Sequence, residues 1–133
     1  METILGLDPG RDKCGLAVMV GEQIVYHQVV DSAKAIAIIQ QLCQKYGADR
    51  LVMGNGTTST SWYQQLEVSL VQQLPIVTID EHNSTLEARD RYWLMYPPKG
   101  LQRILPQGLR VPPRPVDDIV AIVLIERYLN LNI

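Results

Sequence analysis

The chain is short of cysteine, of long apolar runs and of excess positive charge, and each shortage removes a class of protein. Its only cysteines, Cys14 and Cys43, fall in apolar periodic segments without metal-ligand spacing. They read as buried, reduced thiols of a cytoplasmic protein rather than as a disulfide framework or a zinc site. No apolar span is long enough for a membrane helix and no basic segment precedes a cleavage site, so neither a membrane partner nor a secretory signal is expected. With a net charge of −2, any contact with nucleic acid must come from a local basic patch. Phosphate-binding loops are missing too. Gly10 and Gly15 bracket four residues, but Leu16-Ala17 stand where such a loop needs Lys-Ser/Thr, and Gly6 and Gly10 complete no G-x-G-x-x-G pattern.

What is present is an ordinary globular composition. The 133 residues are 47% hydrophobic and 20% charged, which predicts one domain over 1–133 that buries roughly two-thirds of its unfolded surface. Three short runs, Thr3–Leu7, Cys14–Val20 and Gln23–Val30, are separated by "DPGRDK" and "GE" and read as an antiparallel meander. Helical spacing follows over Ser32–Tyr46, with Asp31 or Ser32 as N-cap and Gly47 as the stop. Arg50–Gly54 reads as a buried strand, Trp62–Leu74 as a helix with Tyr63, Leu66 and Leu70 on one face, and Pro75–Asp80 as another strand. Ser84 and Glu87 have capping-box spacing, which starts a helix that runs to about Tyr96. Asp117–Leu129 is the last helix, apolar on nearly every side. The order predicts an α/β fold with a mixed sheet and helices on both faces.

Carboxylates end several of these elements: Asp8 after the first strand, Asp80-Glu81 after the fifth, Asp117-Asp118 at the start of the last helix. Strands one, four and five would be parallel, so Asp8 and Asp80-Glu81 emerge on one sheet edge, where sites of open α/β sheets form. Gathered carboxylates repel unless a hard cation offsets them, and Mg²⁺ prefers such oxygen ligands. Two such ions about 3.5–4 Å apart can stabilise both ends of a phosphodiester displacement. Asp8 before Pro-Gly also reads as a simple turn former, and Asp117-Asp118 as charges facing the helix dipole. Between the last two helices, Pro97–Pro115 holds six of the eight prolines, no acid, and Lys99, Arg103, Arg110 and Arg114. Such a strap reads as a nucleic-acid grip or as a solvated loop. Asn55 and Thr57, after the fourth strand, are further candidate phosphate contacts, as is His82 beside Glu81; His27 reads as a partly exposed strand residue.

"ILGLDPGRDKCGLAV", "LVMGNGTTS", "IVTIDEHNSTLEA" and "VDDIVAIVLIERYL" together resemble the four blocks of the RuvC/YqgF-type branch of the ribonuclease H-like superfamily. The branch includes RuvC Holliday-junction resolvases and YqgF-type pre-16S ribosomal RNA nucleases. The resemblance implies a ribonuclease H-like fold, its five-stranded mixed sheet in the order 3-2-1-4-5, and an Mg²⁺- or Mn²⁺-dependent nuclease, with two ions, acting on a DNA junction or structured RNA as monomer or homodimer. It maps metal carboxylates onto Asp8, Glu81 and one or both of Asp117 and Asp118. The YqgF pattern favours Asp117 and the resolvase pattern Asp118. His82 stands where the YqgF pattern has Arg, and Pro115 where the resolvase has a further Asp. Two rivals remain: a non-catalytic nucleic-acid-binding or interaction protein that keeps the fold, and a nucleotide-binding fragment of the actin-like phosphotransferases, for whose second domain the chain is too short.

Overall fold

The structure is a computed structural model that describes residues 1–70 and 73–130. Its strands are β1 (Thr3–Asp8), β2 (Lys13–Val20), β3 (Gln23–Asp31), β4 (Arg50–Gly54) and β5 (Ile76–Ile79). Its helices are α1 (Ser32–Tyr46), α2 (Ser59–Ser69), α3 (Ser84–Met95) and α4 (Asp117–Leu129). The sheet order is β3-β2-β1-β4-β5. β1 runs antiparallel to β2 and parallel to β4, and β4 is parallel to β5, so the sheet has the predicted order and mix. The carboxyl ends of β1, β4 and β5 share one edge.

Strand alternation divides the core into two layers. Leu5, Leu7, Leu16, Val18, Leu51 and Met53 meet α1 and α2 on one face. Ile4, Ala17, Met19, Val52 and Ile79 meet α3 and α4 on the other. Along β1 this places Ile4, Gly6 and Asp8 on the α4 face. No helix among the described residues is long and apolar enough to cross a membrane; α4 is apolar all round because the sheet covers one side and α3 another. Ile119, Ile122, Leu124 and Ile125 are completely buried. Each contributes about 1.5–3 kcal/mol of burial, against about 0–1 for an exposed ion pair, so hydrophobic contact fixes where α4 lies.

Two glycines set how close it lies. A β-carbon at Gly6 would stand 2.7 Å from the Ala121 carbonyl oxygen, and one at Gly15 would fall on that of Asp117. Gly15 is the cross-strand partner of Asp8. The start of α4 therefore rests directly beside the end of β1.

Several local expectations change. Ser84 does not cap α3: the N-cap is Asn83 in the left-handed region (φ 58°), and no side chain caps it. The Glu87 carboxylate that a capping box requires is drawn instead to Arg127 of α4, at 2.8 Å. Helix α2 begins at Ser59 and ends at Ser69 rather than spanning Trp62–Leu74; of the expected end, 71–72 lie outside the described residues. Its buried residues are Trp62 and Leu66, whereas Tyr63 is exposed. The i, i+4 pair faces the sheet, and the Trp62 indole donates to the Gly10 carbonyl at 3.3 Å. Gly47 ends α1 in the left-handed conformation, as its position predicts.

The seating of α4 yields a stability prediction. Gly15→Ala should cost at least about 3 kcal/mol in chemical denaturation, because a backbone carbonyl cannot yield as a side chain does. Gly108→Ala, where a β-carbon meets nothing, should change stability by less than about 0.5 kcal/mol.

Candidate active site

Asp8 ends β1 on the face that α4 covers, and the turn after it is held by other groups. The Ser32 hydroxyl donates to the Gly10 carbonyl at 3.0 Å, and the Ser32 amide to the Asp12 carbonyl at 2.9 Å. Burial lifts the Asp8 carboxyl to about 7, with the charges of Asp117 and Glu81 adding to the rise. Burial likewise raises Asp117, Asp118 pushes it further, and Lys13 opposes the rise. Asp8 of β1 thus feels the charges of Glu81, from the loop after β5, and of Asp117, from the start of α4.

Glu81 reaches that group over two glycines. A β-carbon at Gly54 would come within 2.8 Å of its carboxylate, and one at Gly56 would overlap it. The Glu81 amide donates to the Asn55 side-chain carbonyl at 3.2 Å, and the Asn55 amide donates to Ile79 at 3.1 Å. Arg127 secures the same loop from α4, donating to the Asp80 carbonyl at 2.6 Å and the His82 carbonyl at 2.8 Å. The Asp80 carboxylate accepts from the His82 amide at 3.0 Å and so shapes the turn. The His82 side chain and Thr57 are exposed at this edge.

Asp118 lies in different company. It is 2% exposed, accepts from His27 Nδ1 at 2.6 Å, and receives both terminal nitrogens of Arg114, at 2.9 and 3.3 Å. Burial alone would raise it, yet the Arg114 and His27 hydrogen bonds overcome that and hold it below the ordinary carboxylate range. Successive helix residues diverge by about 100°, which is how neighbouring aspartates come to face a carboxylate group and a cationic one.

The strap residues are also unequal. Arg114 is paired with Asp118, and Arg110 donates to the Gln102 and Arg103 carbonyls at 2.8 and 3.4 Å. Lys99 and Arg103 are exposed, with no ion-pair partner among the described residues. The segment is not wholly irregular: two short 3₁₀ turns, Gly100–Ile104 and Gln107–Leu109, lie within it. Sequence reading missed Arg127, Lys13 and the engagement of His27. The contacts of Arg127 and His27 span 40 to 91 residues, beyond any local pattern.

Residues 2–131 match the RuvX family, described as Holliday junction resolvase. The chain belongs to that family. RuvX membership supports a nuclease of the resolvase type as the function. No curated protein matches the chain. Among solved structures, T. thermophilus RuvC in complex with Holliday junction substrate is similar with a TM-score of 0.60 at 17% identity, over 93% of this chain and 90% of that one. A Thermus thermophilus RuvC structure gives 0.58 at 17% identity, over 92% and 89%. Both likenesses establish the ribonuclease H-like fold of this RuvX chain.

The donor chemistry fits a divalent cation: mutually repelling carboxylates lack a cation strong enough to offset them. Among the described residues no three His, Cys, Asp or Glu side chains converge into a ready cage. Mg²⁺ does not need one, since it usually takes one or two carboxylates and keeps waters and substrate phosphates as its other ligands.

The raised Asp8 carboxyl fixes a pH dependence of the metal-free protein. Its folded value lies above its unfolded value, so the folded state binds the extra proton between about pH 4 and 7, and stability falls as pH rises through that window. With chelator present, Asp8→Asn should therefore be more stable than wild type at pH 8, by a few kcal/mol at most, and nearly equal at pH 4. Urea denaturation at the two pH values measures the difference.

Proposed function

We propose that this chain is a divalent-metal-dependent nuclease that hydrolyses phosphodiester bonds in structured nucleic acid, a DNA junction or a folded RNA such as a ribosomal precursor. The observation that carries the reading is the half-buried Asp8 carboxyl at the end of β1, raised to about 7 first by burial and then by the nearby charges of Asp117 and Glu81. Isolated carboxylates at the mouth of a fold gain nothing from such company. Asp8 and Asp117 would hold Mg²⁺ or Mn²⁺, with Glu81 beside them. When bound, the ion would offset the repulsion and act as a Lewis acid on the phosphate.

The chain's own residues do the rest. Asn55 and Arg127 hold the Glu81 loop on the sheet edge, and Gly54 and Gly56 leave room for its side chain. Gly15 lets Asp117 approach Asp8. Lys99 and Arg103, exposed and without an ion-pair partner among the described residues, would meet phosphates, and backbone contacts of that kind position a nucleic acid without reading its bases. Asp118, already bound by Arg114 and His27, is assigned no ligand role.

A second reading, a nucleic-acid-binding protein that keeps the fold without catalysis, draws on the lack of three converging ligands among the described residues. A cleavage panel separates the two: four-way junctions, duplexes, and single-stranded DNA and RNA, each with Mn²⁺ or chelator. The nuclease reading expects Mn²⁺-dependent cleavage of at least one structured substrate, loss of at least about a hundredfold in Asp8→Asn and Asp117→Asn, and a much smaller loss in Asp118→Asn. Binding without cleavage by the wild type would leave the non-catalytic reading in its place.

A further inference from the structure

The strap between α3 and α4 is tied at both ends to one pair of side chains. At its start, the Tyr96 hydroxyl lies 3.1 Å from His27 Nε2. At its end, Arg114 grips Asp118 with two nitrogens. His27 and Asp118 are themselves joined at 2.6 Å. The Arg114 guanidinium also stands over the rings of Tyr92 and Tyr96, 5.5 and 6.0 Å from their centroids. A carboxylate only accepts, so Nδ1 of His27 donates to Asp118, and in the neutral ring Nε2 is left to accept from Tyr96.

One buried carboxylate thus joins the end of α3, the middle of β3 and the start of α4. Such a constellation is more than helix-end charge balance, because Tyr96 immediately precedes the strap and Arg114 stands at its far end. Within the strap, Arg110 ties the two 3₁₀ turns together through the Gln102 and Arg103 carbonyls. What remains outward is a stretch without acid that presents Lys99, Arg103 and the exposed aliphatic side chains of Leu101, Ile104 and Leu109.

We propose that Tyr96, His27, Asp118 and Arg114 form a clasp that closes the base of the strap, and that Asp118 is a positioning residue for nucleic-acid binding. The clasp holds Lys99 and Arg103 in place before substrate arrives, so the strap is not ordered at the expense of binding. The proposal deepens the nuclease reading above and rests on it for the identity of the substrate.

The test uses full-length Tyr96→Phe, His27→Ala and Asp118→Asn, with His27→Gln as the conservative variant that can still donate and accept. Limited trypsin digestion reports the strap directly, through cleavage after Lys99 and Arg103 identified by mass. The clasp expects roughly tenfold faster cleavage there in the first three variants and near wild-type rates in His27→Gln, because digestion of an opened segment follows its open population. With a four-way junction and Mn²⁺, KM should rise roughly tenfold while kcat changes less than about threefold. Tyr96→Phe removes a single oxygen, so it reads the clasp even where Asp118→Asn fails to fold.

Unchanged digestion in all three variants would overturn the clasp. So would a loss of kcat in Asp118→Asn as complete as that in Asp117→Asn at unchanged KM, which would make Asp118 a ligand. If the wild type does not cleave, the nuclease reading fails separately. Digestion, together with binding of a labelled four-way junction by fluorescence anisotropy, then decides the clasp by itself: weaker binding in the three variants supports it, and equal binding overturns it.

Discussion

Everything at the candidate site depends on how closely α4 approaches β1 and β2. Ordinary side chains at positions 6 and 15 would hold the helix off the sheet, and Asp117 would then stand away from Asp8. Glycine at both positions lets backbone meet backbone, and the buried aliphatic face of α4 keeps it there. The cost appears at Asp8. Folding takes its carboxyl out of water and brings the charges of Asp117 and Glu81 near it, and burial first, repulsion second, raises it to about 7. Such a penalty at the carboxyl edge of the parallel strands is what the proposed nuclease site would carry.

The second organising fact is the sorting of neighbouring carboxylates by environment. Asp117 and Asp118 are adjacent in sequence, start the same helix and carry the same charge, yet one is raised and the other lowered. The difference lies in their partners. Asp117 faces the other acids, with Lys13 as a partial offset. Asp118 is bound by a guanidinium and an imidazole and has become part of the framework. Arg127 plays a comparable part on the far side of α4, where it fastens the loop that carries Glu81. One helix therefore supplies a proposed site residue, a structural anchor and a loop clamp.

Much of this was legible in the sequence because it is local. Alternating apolar residues around "DPG" located β1 and β2, the change of period after Asp31 located α1, and Gly47 marked its end. Parallel crossovers then follow from topology, which brought Asp8 and Glu81 to one edge without any structural input. Local signals failed where a distant group competed. Glu87 has the spacing of a capping box, but Arg127, forty residues on, holds its carboxylate and Asn83 takes the cap position. His27 read as a partly exposed strand residue because nothing in its own segment shows that Asp118 is its partner. The strap's four cations looked equivalent in sequence; folding occupies Arg110 and Arg114 internally and leaves Lys99 and Arg103 outward.

In the proposed site Asp117 is a metal ligand and its neighbour Asp118 a structural residue. Anomalous diffraction from crystals soaked in Mn²⁺ tests this assignment most directly, because it locates the ion without reference to activity. The expected result is an anomalous peak held by Asp8 and Asp117, with Asp118 still bound to Arg114 and His27. A peak on Asp118, with Arg114 or His27 displaced from it, would reverse the two roles.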